Sequence, residues 1–135
     1  MNAYTAVLLY AAWTLLLPIF YAGIRVPAIA GGKKAADHWE RGKTPDDPPL
    51  LQRAKHAHLN SIENFPIFAA VVVIAGLMGK LAIPDAVAGY VLYARVLQSV
   101  MHMLGTSLPL VAARGFFYAV QVVLIFYMLQ GLLSA

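Results

Sequence analysis

The amino-acid sequence predicts an all-α membrane protein, a bundle of four transmembrane helices. Of 135 residues, 61% are hydrophobic and 12% are charged. An ordinary soluble domain is roughly 45–50% apolar and about 25% charged. The apolar residues gather in four stretches, separated by clusters of glycine, proline and charge. A hydrocarbon core about 30 Å thick asks for about 20 helical residues per crossing. At this length the chain, residues 1–135, is expected to form a single domain.

The first span is expected over Ala3–Ile24, which holds no charge. It is too long for a signal peptide and lacks the basic flank, so a retained helix is expected, kinked at Pro18. A long polar loop follows, marked by Gly31-Gly32, Lys33-Lys34 and Pro45-Asp46-Asp47-Pro48-Pro49. The second helix is expected over about 50–78, cleanly apolar only in its second half. After a short turn, the third runs over about 84–104, with Pro84 suited to its start. The fourth covers about 110–133.

Seven of the ten basic residues lie between Arg25 and Lys55. The first and third loops and their flanks hold all but two of the ten; Lys80 is the lone cation on the other side, and Arg95 lies mid-span. The positive-inside rule then places the first and third loops in the cytoplasm and both termini outside. The chain has no cysteine, which excludes a disulfide framework, a cysteine nucleophile and a thiolate metal site. Any thiol chemistry must use a thiol brought by the substrate. His56 and His58 sit two apart, on nearly opposite helix faces, so no metal site is expected. The apolar stretches leave no surface for nucleic acid.

Polar residues inside the spans carry the information, because each charge at the bilayer centre costs about 2.5–3.5 kcal/mol on insertion scales. In the second helix, Arg53, His56, Asn60 and Glu63 fall within an arc of roughly 80°. Arg95, Gln98, Ser99 and His102 share a face of the third. Arg114, Tyr118 and Gln121 follow helical spacing on the fourth, and Tyr21 and Arg25 close the first. Glu63 and Arg95 are expected to pair deep in the membrane, within a protomer or between protomers. The remaining cations would form a pocket open to the cytosol. For Gln98 and Ser99 helix packing is the better expectation, and Arg25 and Arg114 are equally suited to snorkelling at helix ends. Tyr4, Tyr10, Trp13 and Tyr90 are expected to face lipid or the interface.

The run Arg53-Ala-Lys-His-Ala-His-Leu-Asn60-Ser-Ile-Glu63-Asn-Phe-Pro66-Ile-Phe68 resembles the MAPEG family, the membrane-associated proteins in eicosanoid and glutathione metabolism. The resemblance extends over the chain in length, layout and long first loop. It implies a homotrimer that binds glutathione between protomers, in the cytoplasmic half of the bilayer, with a lipophilic second substrate arriving from the lipid. It assigns Asn60 and Glu63 to glutathione contact, with Arg53 and Arg95 matching further arginines. Arg114, across a longer loop, matches the arginine that stabilises the thiolate, and Tyr118 would supply a hydroxyl nearby. His56 and His102 depart from the family pattern, standing where arginine and tyrosine are usual; an imidazole lacks the forked donor geometry of a guanidinium. Arg25 completes the expected binding set.

Two function classes remain open from the sequence. One is a glutathione-dependent transferase or peroxidase acting on lipophilic electrophiles. The other is a non-catalytic membrane module of the same fold that binds lipid or a partner protein. Retained Asn60, Glu63 and Arg114 favour the first; His56 and His102 favour the second.

The topology is directly testable, because the chain has no native thiol. In intact cells an impermeant thiol reagent is expected to label a Ser134→Cys variant and to spare Lys33→Cys. Labelling at Lys33→Cys alone would invert the orientation.

Overall fold

The computed structural model describes residues 1–44 and 46–134; Pro45, part of the expected loop, and Ala135 lie outside them. Those residues form five helices: α1 (Ala3–Ala30), α2 (Pro49–Leu77), the short α3 (Ala82–Asp85), α4 (Ala88–Leu104) and α5 (Leu108–Leu133). No strand occurs among them.

Helix α1 begins where its first amides find acceptors. Asn2 accepts from Thr5 N at 2.8 Å, and Asp85 accepts from Ala3 N at 2.7 Å. These satisfy amides that a helix start leaves unpaired. The helix runs through Pro18 and Pro27 to Ala30, six residues past the expected end. Arg25 does not stop it, because that charge is neutralised from the following loop. Gly32, at φ 68°, then reverses the chain, with Lys33 N bonded to Ala28 O at 2.9 Å. A left-handed residue just past a helix end favours glycine, which has no Cβ to clash.

Helix α2 agrees with expectation to within one residue at each end. Pro49 occupies its first turn, where a missing N–H costs nothing. Gly79, at φ 67°, closes its far end.

The expected third span is divided. Pro84 lies inside the four-residue α3, and the long helix starts only at Ala88. At the break, Val87 adopts φ −129°, ψ −14°. The turn brings Asp85 to the start of α1. Helix α4 has 17 residues, or about 26 Å at 1.5 Å per residue, somewhat short of the hydrocarbon thickness. Among the described residues three helices, α1, α2 and α5, are long and apolar enough to cross a membrane, and α4 stands beside them as the fourth.

Helix α4 packs against α1, α2 and α5, and α1 packs along α2. Ala3, Ala6, Ala75 and Ala88 are fully buried where helices meet. Small residues let backbones approach closely, the main source of helix association when lipid is as apolar as the helix surface. The outward faces of α1 and α5 expose large apolar residues such as Leu8, Leu15, Ile19, Phe126 and Leu133, as suits an integral membrane protein.

Tyr10 corrects the expectation of a lipid-facing ring. It is 0% exposed, and its ring lies 5.4 Å from Phe65 and 5.7 Å from Phe68. The Arg95 guanidinium stands 5.6 Å from the same ring. A tyrosine has the apolar area of a core residue and a hydroxyl that here points to Ser61 O at 3.4 Å. Trp13 is half-buried and donates its indole N–H to Ser99 Oγ at 3.1 Å. Tyr4 and Tyr90 are exposed.

The loop after α1 is fastened by one carboxylate. Asp47 pairs with Arg25, accepts the Trp39 indole N–H at 2.7 Å, and lends its backbone oxygen to Gln52 Nε2 at 2.8 Å. Arg25 also lies over the rings of Tyr21 and Trp39, at 4.7 and 5.3 Å. The Asp47 side chain is 5% exposed and that of Arg25 is 11% exposed. Removing one partner would leave the other charge buried alone, which is costlier than losing an exposed pair. Farther out, Lys34 and His38 meet Asp46, and Lys43 meets Asp37. The Lys43 hydrogen bond holds Asp37 below the usual carboxylate range, and those of Lys34 and then His38 do the same for Asp46.

Limited proteolysis of the loop tests this arrangement. Arg25→Ala is expected to expose residues 31–48 to cleavage at neutral pH, whereas Lys43→Ala should do so little. A depressed folded-state pKa means that the outer pairs contribute above the unfolded value of about 3.9 and are lost as pH falls through the folded one. Acid should therefore act on these outer pairs only below about pH 4 and, like Lys43→Ala, raise cleavage of the wild-type loop by an acid-tolerant protease only slightly.

Candidate functional site

Where α2, α4 and α5 meet, near the end of the bundle that carries the long loop, a groove of about 310 Å³ is lined by Asn60, Gln98, His102 and Arg114, with Val111, Gly115 and Tyr118. The helical spacing of each stripe brings these groups together. Asn60 projects from α2, Gln98 and His102 are one turn apart on α4, and Arg114 and Tyr118 are one turn apart on α5. The Asn60 side-chain nitrogen lies 3.4 Å from His102 Nδ1. The His56 and His102 rings stand edge to face with centroids 6.0 Å apart. Arg114 is the one charged side chain lining the groove. Tyr118 is 47% exposed, so the groove opens sideways from the bundle.

Arg53 reaches the end of α4 and donates Nε–H to Met103 O at 2.9 Å. A helix end leaves carbonyls unpaired, and a cationic donor is favourable there. This bond occupies one edge of the guanidinium beside the groove.

Glu63 and Arg95 form no ion pair within the chain. The cause is helical geometry. Ser61 is fully buried on α2, and two residues on, about 200° around the helix, Glu63 faces outward and is exposed. Arg95 instead points into the core at 1% exposure, and its Nε and one terminal nitrogen, Nη2, have no hydrogen-bond partner. Arg25 does not join the groove either; it belongs to the Asp47 contact. His58 pairs with the Tyr21 hydroxyl, through Nδ1 at 2.9 Å, away from the His56 stripe. Among the described residues, no three His, Asp or Glu side chains are placed to hold a metal ion.

The sequence reading gave Gln98 only a packing role. The structure gives it two. Its amide lines the groove, and its Oε1 accepts from Gln121 Nε2 at 2.9 Å, joining α4 to α5. Gln121 also donates to Phe117 O at 2.9 Å, and its Oε1 is buried without a donor. The available signal was two uncharged polar residues at mid-span in successive helices, where each needs a partner. For the contacts of Asp47 and Trp39 with Arg25 there was no periodic signal, since both lie in irregular chain.

The glutamine pair supports a double-mutant test. Gln98→Ala and Gln121→Ala are each expected to destabilise the detergent-solubilised protein by about 1–2 kcal/mol. The double variant should lose less than the sum of the two, as read by thermal unfolding; additive losses would show that the two amides do not interact.

With the geometry in place, comparison with known proteins adds one finding. The sequence model of the MAPEG family matches residues 3–134, nearly the whole chain. No curated protein and no solved structure gives a significant match. The matched stretch spans all the helices, including the α2 motif and the groove built around it: the chain is a membrane protein of the MAPEG family, which includes glutathione-dependent transferases and non-catalytic members.

Proposed function

We propose that this protein is a glutathione-dependent transferase or peroxidase that acts on lipophilic electrophiles within the membrane. The observation that carries the reading is the groove itself: Asn60, His102, Arg114 and Tyr118, from three helices, line one laterally open space with a cation at its wall. Glutathione has two carboxylates, one amine and one thiol. Arg114 suits the thiol, because a nearby cation lowers a thiol pKa and the thiolate is the nucleophile. Asn60, His56 and Arg53 suit the peptide's polar groups. Glu63, exposed on the same side of α2 as Asn60, suits its amine. In a homotrimer Glu63 and the outward polar stripe of α2 would meet a neighbouring protomer, which would complete the site and could bring Glu63 its cationic partner.

In the transferase reaction the thiolate sulfur bonds to the electrophilic carbon, and the leaving group departs with the electron pair. Arg114 holds the negative charge at sulfur beforehand, and the Tyr118 hydroxyl can donate a hydrogen bond to the sulfur or to the leaving group. An apolar substrate reaches the groove from the lipid side, past the exposed Tyr118. Arg114 is six residues into α5 and His102 two from the end of α4. Under the proposed topology this is the cytoplasmic half of the bilayer, where glutathione is available.

One observation favours the non-catalytic reading. His102 contacts both His56 and Asn60, so the amide that would hold the peptide already has a neighbour within the chain.

Three measurements separate the readings: calorimetry of glutathione binding, thiolate absorbance against pH, and turnover of an aryl halide. Asn60→Ala should weaken binding. Arg114→Ala should leave binding within a few-fold, raise the bound thiol's pKa and lower turnover by about 10²-fold or more. His56→Arg should tighten binding by restoring a forked donor. Wild-type protein with neither saturable binding nor a thiolate at neutral pH would establish the non-catalytic module instead.

A further inference from the structure

At the opposite end of the bundle from the groove, beside the first residues of the chain, lies a second polar cavity. It holds about 230 Å³ and is lined by Met1, Asp85, Gly89, Tyr90 and Tyr93. Asp85 uses Oδ1 to accept from Ala3 N at 2.7 Å. No cation pairs with it among the described residues, the chain's own N-terminal ammonium included. Gly89 keeps the space open: a Cβ there would stand 3.3 Å from the Met1 terminal methyl. Tyr90 and Tyr93 are 64% and 57% exposed, so both rings reach the mouth.

Tyr93 also lines a second feature. Between α1 and α4 runs a groove of about 550 Å³, walled by Leu9, Trp13, Leu16, Val96 and Leu97 and almost wholly apolar. Counted at 1.5 Å per residue, it extends from Tyr93, roughly 7 Å past the start of α4, to Leu16, about 20 Å past the start of α1. The arrangement is one carboxylate and two exposed phenol rings lining one cavity, which shares Tyr93 with an apolar groove beneath.

Each half selects a different part of one molecule. An unpaired carboxylate draws a cation, and tyrosine faces add attraction for an ammonium group. A carboxylate oxygen makes short, strong hydrogen bonds to N⁺–H donors, which a quaternary ammonium lacks. Interfacial tyrosines sit at head-group level, and the groove accepts an alkyl chain. We propose that cavity and groove together bind a phospholipid with a primary-amine head group, phosphatidylethanolamine, with its ammonium on Asp85 and one acyl chain between α1 and α4. This site is separate from the thiol groove and does not depend on its function.

The test uses the full-length protein in nanodiscs of equal phosphatidylethanolamine, phosphatidylcholine and phosphatidylglycerol, released for native mass spectrometry. Phosphatidylethanolamine adducts are expected to exceed the other two by about tenfold. Asp85→Asn should abolish that preference while keeping an oxygen for Ala3 N, so helix α1 still starts normally. Ala12→Phe, which fills the groove from an exposed position on α1, should reduce adducts with Asp85 intact. It also keeps the test decisive if Asp85→Asn fails to fold. Equal retention of the three lipids by wild type, an unchanged preference in Asp85→Asn, or unchanged adducts in Ala12→Phe would each overturn the proposal. So would a bound protomer in place of lipid, with Lys80 of a second copy supplying the cation.

Discussion

Helix α4 brings Arg95, Gln98 and Ser99 into the centre of a bundle that sits in hydrocarbon, and the other helices are arranged to receive them. In water an unmatched polar group can turn to solvent; in lipid it cannot. Each of the three therefore meets a partner on a neighbouring helix, two on α1 and one on α5. Trp13 of α1 donates to Ser99, Gln121 of α5 donates to Gln98, and the face of Tyr10 from α1 receives the Arg95 cation. The helix that is short for the bilayer and carries the most buried polar groups is thus the one touched by all three long helices.

The same arrangement explains why a groove exists. Toward the C-terminal end of α4 the polar face continues with His102, but α1 no longer covers it and α5 contributes Arg114 and Tyr118 instead. Charge on Arg114 and the exposed ring of Tyr118 prevent close apolar packing there. The space left is the junction of three polar stripes.

Arg95 shows what the single chain leaves unfinished. Two of its nitrogens have no acceptor, although the residue is almost wholly buried. Its expected partner Glu63 faces outward on α2. At the other extreme is Arg25, whose charge meets Asp47 and whose face is covered by Tyr21 and Trp39. That contact lets α1 run through an arginine and a proline and folds the long loop back onto its end. A cation at the end of a span thus acts as the anchor of a loop.

Composition and periodicity were enough to determine that this chain is helical and membrane-embedded, roughly where its long helices lie, and which residues of each helix share a polar face. Those properties are local: they follow from the length of an apolar run and from 3.6 residues per helical turn, so Asn60, His102 and Arg114 were legible as candidates for one site. The family signature in α2 was legible for the same reason, being a pattern within one helix. Partnership was decided only by the tertiary structure. Whether Glu63 meets Arg95, whether Tyr10 faces lipid or core, and whether Arg25 lines a pocket or grips a loop depend on the rotation of each helix against its neighbours and on irregular chain at Asp47 and Asp85. Those features have no period to read, because they are set by which buried polar groups find each other once the helices pack.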